Sequence, residues 1–274
     1  MTDQTRSVLK DVKRIVIKVG TSTLTHQTGR MNLVRVDRLA MAISELINQG
    51  YEVALVSSGA IGVGMGKLNL KERPHLMGFK QALAAIGQCE LMNIYSKMFS
   101  TYNQFVAQVL LTRNDVDDEV KRKNIENTFE HLMKQHILAI VNENDTVSTD
   151  EVTALDHFGD NDTLSAVVSQ LVHADLLVIL TDRDGFYNGN PNDNNNCILI
   201  DTVTELTDEI RQYAGGEGSK FGTGGMITKL NAADIVTNSG IHMVLANGED
   251  PFVLFSILAG EKVGTLFLGK DKTT

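Results

Sequence analysis

Ile15-Val16-Ile17-Lys18-Val19-Gly20-Thr21-Ser22-Thr23 is an apolar run rich in β-branched residues that meets a lysine, then a glycine, then three hydroxyls. Such a run suits a buried strand. In open α/β sheets ligands bind beyond the carboxyl ends of the strands, and a glycine there lets the backbone turn closely around an anion. Lys18 therefore stands where an anion would be received. On its own this is weak, because a lysine at a strand end also reaches solvent at little cost. The arrangement recurs, however. Val53-Ala-Leu-Val-Ser-Ser-Gly-Ala-Ile-Gly62 runs a second strand into a glycine turn, and Leu176-Leu-Val-Ile-Leu-Thr-Asp182 runs a third into a polar edge. Three strand ends with polar tips imply one rim.

Working outward, strand-like runs near 14–19, 52–57, 105–111, 137–141, 176–180, 242–246 and 264–268 alternate with helical patterns. That alternation predicts a mainly parallel sheet covered on both faces. In the first helix Val36, Leu39, Ile43, Leu46 and Ile47 recur at helical spacing, with Gly50 as the stop. Further helices are expected near 76–100, 122–135, 162–173 and 225–238. The prolines, Pro74, Pro191 and Pro251, mark no linker, and the 274 residues are expected to form a single domain. With 25 basic and 34 acidic residues, the net charge of −9 argues against nucleic acid or an anionic membrane as a partner. Cys89 and Cys197 form no CxxC unit, which suggests neither a disulfide framework nor a zinc site. Met1–Arg14 lacks an apolar segment of secretory length, and the longest membrane-like run, Leu176–Leu180, is far too short to span a bilayer. A reducing, cytoplasmic setting is expected.

Three constellations carry chemistry. Gly215–Lys229 holds six glycines in fifteen residues and leads into a helix. Composition alone reads this as a surface loop. Functionally, Gly222, Gly224 and Gly225 would let backbone amides approach phosphate oxygens at a helix N-terminus, with Lys229 one turn inside. GxxxxGK[ST] and GxGxxG are both absent, so a nucleotide would bind by another route. The second constellation pairs Asn142-Glu-Asn-Asp-Thr-Val147 with Gly159-Asp-Asn-Asp-Thr-Leu-Ser165, either of which capping alone would explain. Together they offer carboxylates for an ammonium group and amides for a carboxylate, the two ends of an amino acid. The third is Thr181-Asp-Arg-Asp-Gly-Phe-Tyr187, a plain loop or the place of a base and ribose. The asparagine-rich stretch 188–196 is a turn-forming loop with no assigned chemistry.

Taken in order, Ile-Lys-Val-Gly-Thr-Ser, Ser-Ser-Gly-Ala-Ile, Asn-Glu-Asn-Asp-Thr-Val, Gly-Asp-Asn-Asp-Thr-Leu-Ser-Ala, Leu-Thr-Asp-Arg-Asp-Gly-Phe-Tyr and Gly-Thr-Gly-Gly-Met-Ile-Thr-Lys resemble the glutamate 5-kinase branch of the amino acid kinase family, from about Arg14 to Leu268. Six such motifs in order are very specific. The resemblance implies a three-layer αβα sandwich on an open, mainly parallel sheet. It also implies ATP with Mg2+, and phosphorylation of the glutamate side-chain carboxylate as the first step of proline synthesis. By this similarity Lys18 and Lys229 would contact the transferring phosphoryl group and Asp162 would orient them. Ser58, Gly59, Asn142, Asp145 and Asn161 would hold glutamate. ATP would be held by Lys18, Thr181, Asp182, Thr223, Gly224, Gly225, Met226, Ile227, Thr228 and Lys229. No residue is assigned to the metal, which is expected to bind through the ATP phosphates. A homo-oligomer, dimer or tetramer, and hand-over of the labile product to glutamyl phosphate reductase are also implied.

The sequence departs from the family pattern at Ser57, where threonine is commoner, and at Phe186, where leucine is. It departs also at His157, where lysine often stands, which puts a charge from that loop in question. Many members carry a further C-terminal PUA domain, and this chain is expected to be the short form without it. Aspartokinase, acetylglutamate kinase, carbamate kinase and uridylate kinase are the alternatives within the family. A non-catalytic amino-acid sensor is the alternative outside catalysis; it predicts loss of a phosphate-contacting lysine, yet Lys18 and Lys229 are both present. A nicotinamide-dependent dehydrogenase lacks its phosphate fingerprint here.

Overall fold

The computed structural model describes residues 4–26, 30–147, 158–189, 197–214 and 225–270. Along the chain run β1 (Arg14–Val19), α1 (Thr21–Leu24), α2 (Leu33–Asn48), β2 (Glu52–Ser57), α3 (Ala60–Lys67) and α4 (Met77–Ser100). β3 (Val106–Leu111), α5 (Arg113–Asp117), α6 (Glu119–Lys134), β4 (Leu138–Glu143), α7 (Asn161–Leu171) and β5 (Leu176–Thr181) follow. The last elements are β6 (Thr202–Val203), α8 (Asp208–Tyr213), α9 (Met226–Asn238), β7 (His242–Asn247), α10 (Val253–Leu258) and β8 (Thr265–Phe267). Every expected strand and long helix is present, in an eight-stranded, mainly parallel arrangement. The unexpected elements are the two-residue β6 and several helices too short to display a period.

The chain forms two compact units, Val19–Asn161 and Met1–Lys18 with Asp162–Thr274. The single-domain expectation rested on the lack of a linker, and the passages between units fall at Lys18–Val19 and Asn161–Asp162, inside motifs.

In Val19–Asn161, β2 and β3 both pair in parallel with β4. α2 buries the stripe foreseen for it, starts at Asn32, whose side chain accepts from Arg35 N–H, and stops at Gly50 with φ of 94°. α4 buries Leu83, Gly87, Leu91, Tyr95 and Phe99 at a spacing of four, one turn after another down one face. Burying each large side chain of that stripe contributes roughly 1.5–3 kcal/mol. α3 and α4 touch backbone to backbone: a Cβ on Gly87 would lie 1.7 Å from the Ala60 carbonyl oxygen, and one on Gly64 would lie 2.2 Å from that of Leu83. Only glycine permits this approach, which brings the polar residues of α4 up to the strand ends.

In the other unit the strand order is β1-β5-β7-β8-β6, with β5 and β7 parallel and β8 antiparallel to β7. β5 is buried along its whole length, as a strand covered on both faces must be. The N-terminal residues are tied in by Arg6, which is 0% exposed. Its guanidinium donates to the carbonyls of Asp201, Glu261, Val263 and Gly264 and to the Asp201 carboxylate. Among the described residues no helix is long and apolar enough to cross a membrane.

Candidate active site

The candidate residues gather into two constellations, one in each unit. In the unit containing β1, Lys18 is the penultimate residue of that strand, Asp162 lies in the first turn of α7, and Lys229 lies in the first turn of α9. Lys18 Nζ sits 2.7 Å from Asp162 Oδ1 and Lys229 Nζ sits 3.1 Å from Asp162 Oδ2. The Thr228 hydroxyl has two acceptors within 2.7 Å, Asp162 Oδ2 and the Gly225 carbonyl. Little water reaches the trio, Asp162 being 2% exposed and each lysine 8%. Burial pushes the Asp162 carboxyl up. The Lys18 and Lys229 ammonium groups, helped by bonds from Lys18 and Thr228, outweigh burial and leave its pKa below the ordinary carboxylate value. Within the trio positive charge outnumbers negative two to one, in a place where charges are poorly solvated. Such a centre attracts an anion.

Beside it, α9 begins at Gly225, which supplies no side-chain cap, so the first N–H groups of that helix are left for another acceptor. Met226, Ile227 and Thr228 open this first turn, ahead of Lys229. Thr223 and Gly224 lie outside the described residues, as do His157 and residues 190–196 of the asparagine-rich loop. Thr181 and Asp182 close β5. The Thr181 hydroxyl donates to Asp182 Oδ1 at 3.0 Å and its carbonyl accepts from Gly248 N–H at 2.7 Å, which fixes the strand end. Neither residue bonds to the Asp162 cluster among the described residues.

The second constellation lies in Val19–Asn161. In the parallel pairing of β2 with β4, Val56 faces Val141, which sets Ser57 level with Asn142 at the two strand ends. Asn161 Nδ2 donates to Ser58 Oγ at 2.8 Å, Asn142 Oδ1 at 3.0 Å and the Ser57 carbonyl at 3.2 Å. Three acceptors around one amide nitrogen set its orientation and turn Asn161 Oδ1 the other way. Ser58 leads into Gly59, the N-cap of α3, whose φ of 102° suits glycine. A Cβ there would also press to 3.1 Å from Thr21 Oγ1. Asp145 follows in a short 3-10 turn, Asp145–Val147, against which α4 packs.

Two partners of this constellation were not read from the sequence, Gln88 and Tyr95, both on α4. Gln88 Oε1 accepts from Asn142 Nδ2 at 3.0 Å, and the Tyr95 hydroxyl shares a 2.8 Å bond with Ser57 Oγ. Tyr95 is fully buried, which keeps its hydroxyl protonated far beyond neutral pH. One signal was available for Gln88: an amide adjoining the buried Leu83–Leu91 stripe needs a polar partner.

Likeness to known proteins extends over most of the chain. The amino acid kinase family pattern matches residues 13–247. The glutamate 5-kinase of Clostridium perfringens is 54% identical over 265 residues, covering 97% of this chain and 98% of that protein. Those of Enterococcus faecalis and Listeria innocua are 54% and 52% identical, each over at least 96% of this chain and 97% of the relative. Among solved structures, UMP kinase from Bacillus anthracis superposes with a TM-score of 0.64 at 18% identity, covering 94% of this chain and 97% of that one. An isopentenyl phosphate kinase also superposes with a TM-score of 0.64, at 14% identity, over 93% of this chain and 99% of that one. These two likenesses concern the fold.

Proposed function

The chain belongs to the amino acid kinase family, and from that premise we propose that it transfers the γ-phosphoryl group of ATP to the side-chain carboxylate of L-glutamate, giving L-glutamyl 5-phosphate for proline biosynthesis. The observation that carries the reading is the pair of buried lysines converging on Asp162. A glutamate side chain has a pKa of about 4.3 and is an ionised nucleophile at neutral pH, so no general base is needed. A carboxylate oxygen attacks the γ-phosphorus, the bond to the β,γ-bridging oxygen breaks, and ADP leaves with that electron pair. The task left to the protein is to bring two anions together and neutralise the charge that builds on the moving group.

In this reading Lys18 and Lys229 supply that neutralisation, and Asp162 holds both ammonium groups at fixed positions. The first N–H groups of α9, from Met226 to Thr228, receive phosphate oxygens, with Thr223 and Gly224 preceding them. Thr181 and Asp182 bind the nucleoside end. Asp145 pairs with the glutamate ammonium, while Ser58, Gly59, Asn142 and Asn161 present hydroxyl and amide groups to the rest of the amino acid. Among the described residues no three His, Cys, Asp or Glu side chains cluster as a metal cage, and Asp162 is engaged by lysines, so Mg2+ would be held through ATP phosphate oxygens. There it would add neutralising charge. A cytoplasmic homo-oligomer that hands its labile acyl phosphate to glutamyl phosphate reductase completes the proposal.

The test is ATP-dependent trapping of the acyl phosphate by hydroxylamine with glutamate, aspartate and N-acetylglutamate in parallel. Glutamate is expected to give the hydroxamate at the highest kcat/KM. A preference for either competitor overturns the assignment.

A further inference from the structure

A chain of bonds fixes which way the Gln88 amide faces. Glu143 N–H, an unambiguous donor, gives a 3.0 Å bond to Asn142 Oδ1. The other end of that amide, Asn142 Nδ2, must therefore be the donor in the 3.0 Å contact to Gln88, and the atom that accepts it is Oε1. Gln88 Nε2 is consequently turned away from Asn142. It is buried and has no hydrogen-bond partner among the described residues, in a residue only 7% exposed. A buried donor left unmade is costly, and native structures rarely keep one without a use.

We propose that Gln88 is a specificity-determining residue of the proposed glutamate site, its Nε2 donating to the α-carboxylate of the bound amino acid. The α-ammonium and α-carboxylate sit on one carbon, so a site for both needs an acceptor for the first next to a donor for the second. α4, which carries Gln88, packs against the short turn that carries Asp145, the residue assigned to the ammonium. Gln88 also continues the amide run Ser58–Asn161–Asn142, which places it on the same set of strand ends. The side-chain carboxylate of the substrate is thereby left to the phosphoryl group.

This inference rests on the proposed function and is tested by exchanging charge on both sides of the contact. Gln88→Glu keeps the oxygen that accepts from Asn142 and replaces the donor by an anionic oxygen. Isoglutamine, glutamate with its α-carboxylate made a carboxamide, offers that oxygen a donor and still has a side-chain carboxylate to phosphorylate. The ratio of kcat/KM for glutamate to that for isoglutamine is expected to fall at least tenfold in Gln88→Glu, with the KM for ATP unchanged. Gln88→Met, which carries no charge, keeps the test standing if the first variant does not fold, and should lower the ratio at least threefold. An unchanged ratio in a folded variant sinks the role of Gln88 while glutamate kinase activity stands. A wild-type protein that phosphorylates neither compound sinks the proposed function instead.

Discussion

Asp162→Asn keeps shape and removes one charge. The carboxylate lies 2.7 Å from one ammonium and 3.1 Å from the other. At an effective dielectric of about 20, unit charges about 4 Å apart interact by about 4 kcal/mol. Part of that attraction offsets the desolvation of all three groups, and removing one partner of a buried pair typically costs about 3–5 kcal/mol. We predict a loss of that size in unfolding free energy at pH 7, read from urea titration. The sign with pH follows from the lowered Asp162 pKa. Its stabilisation is fully present above the unfolded value of 3.8 and is lost as pH falls through the folded value, so the gap between wild type and variant should close in acid below pH 3.8. Activity should fall by about 10²-fold or more in kcat, because the lysines lose their anchor. ATP should bind the variant at least as tightly, since a carboxylate that repels phosphate is gone. Calorimetry alongside steady-state rates separates these outcomes. A variant that retains wild-type stability and rate, or one that loses ATP binding in step with its rate, refutes the reasoning.

Further outcomes are expected elsewhere. Lys18→Met and Lys229→Met should each lower kcat by roughly 10²-fold with a much smaller loss of ATP affinity, because a fixed ammonium meets more charge in the transition state than in bound ATP; proportional losses would make the lysines ground-state anchors. Gly87→Ala would set a methyl 1.7 Å from the Ala60 carbonyl oxygen, so α3 and α4 must part. That should cost about 1–3 kcal/mol or more in unfolding free energy, and unaltered stability counts against the close approach. His242 Nδ1 accepts from Gly269 N–H, and burial pushes the His242 pKa down against the pull of Asp175. Stability should therefore decline as pH falls below 6.5. His242→Asn, which still offers an acceptor, should flatten that decline, and a slope equal to wild type rules the histidine out.

What the sequence disclosed follows the range of the forces involved. Lys18 and Lys229 were readable because each stands at a strand or helix end marked by glycine within a few positions, whereas the pairing of Asp162 with them was implied only by the family resemblance. The parallel sheet was readable because strand and helix periods alternate. Gln88 and Tyr95 were not, since their partners lie 54 and 38 residues away and meet them only because Gly64 and Gly87 let two helices touch. The bond from Thr228 to Asp162 depends likewise on where α7 and α9 settle. The passages between compact units were hidden because they interrupt no pattern; composition runs straight through Lys18–Val19 and Asn161–Asp162.

Arg6 sets a timetable for synthesis. The first of its partners, Asp201, is made 195 residues later and the last, Gly264, 258 residues later. At about 5–20 residues per second on the ribosome, the shorter interval alone lasts about 10–40 s. During it the contiguous stretch Val19–Asn161 emerges whole and can fold, while β1 waits for β5, its neighbour in the same unit. Ile15, Val16 and Ile17, all fully buried in the finished protein, spend that time without their final cover. β1 is thus made long before β5, the strand that flanks it within its own unit.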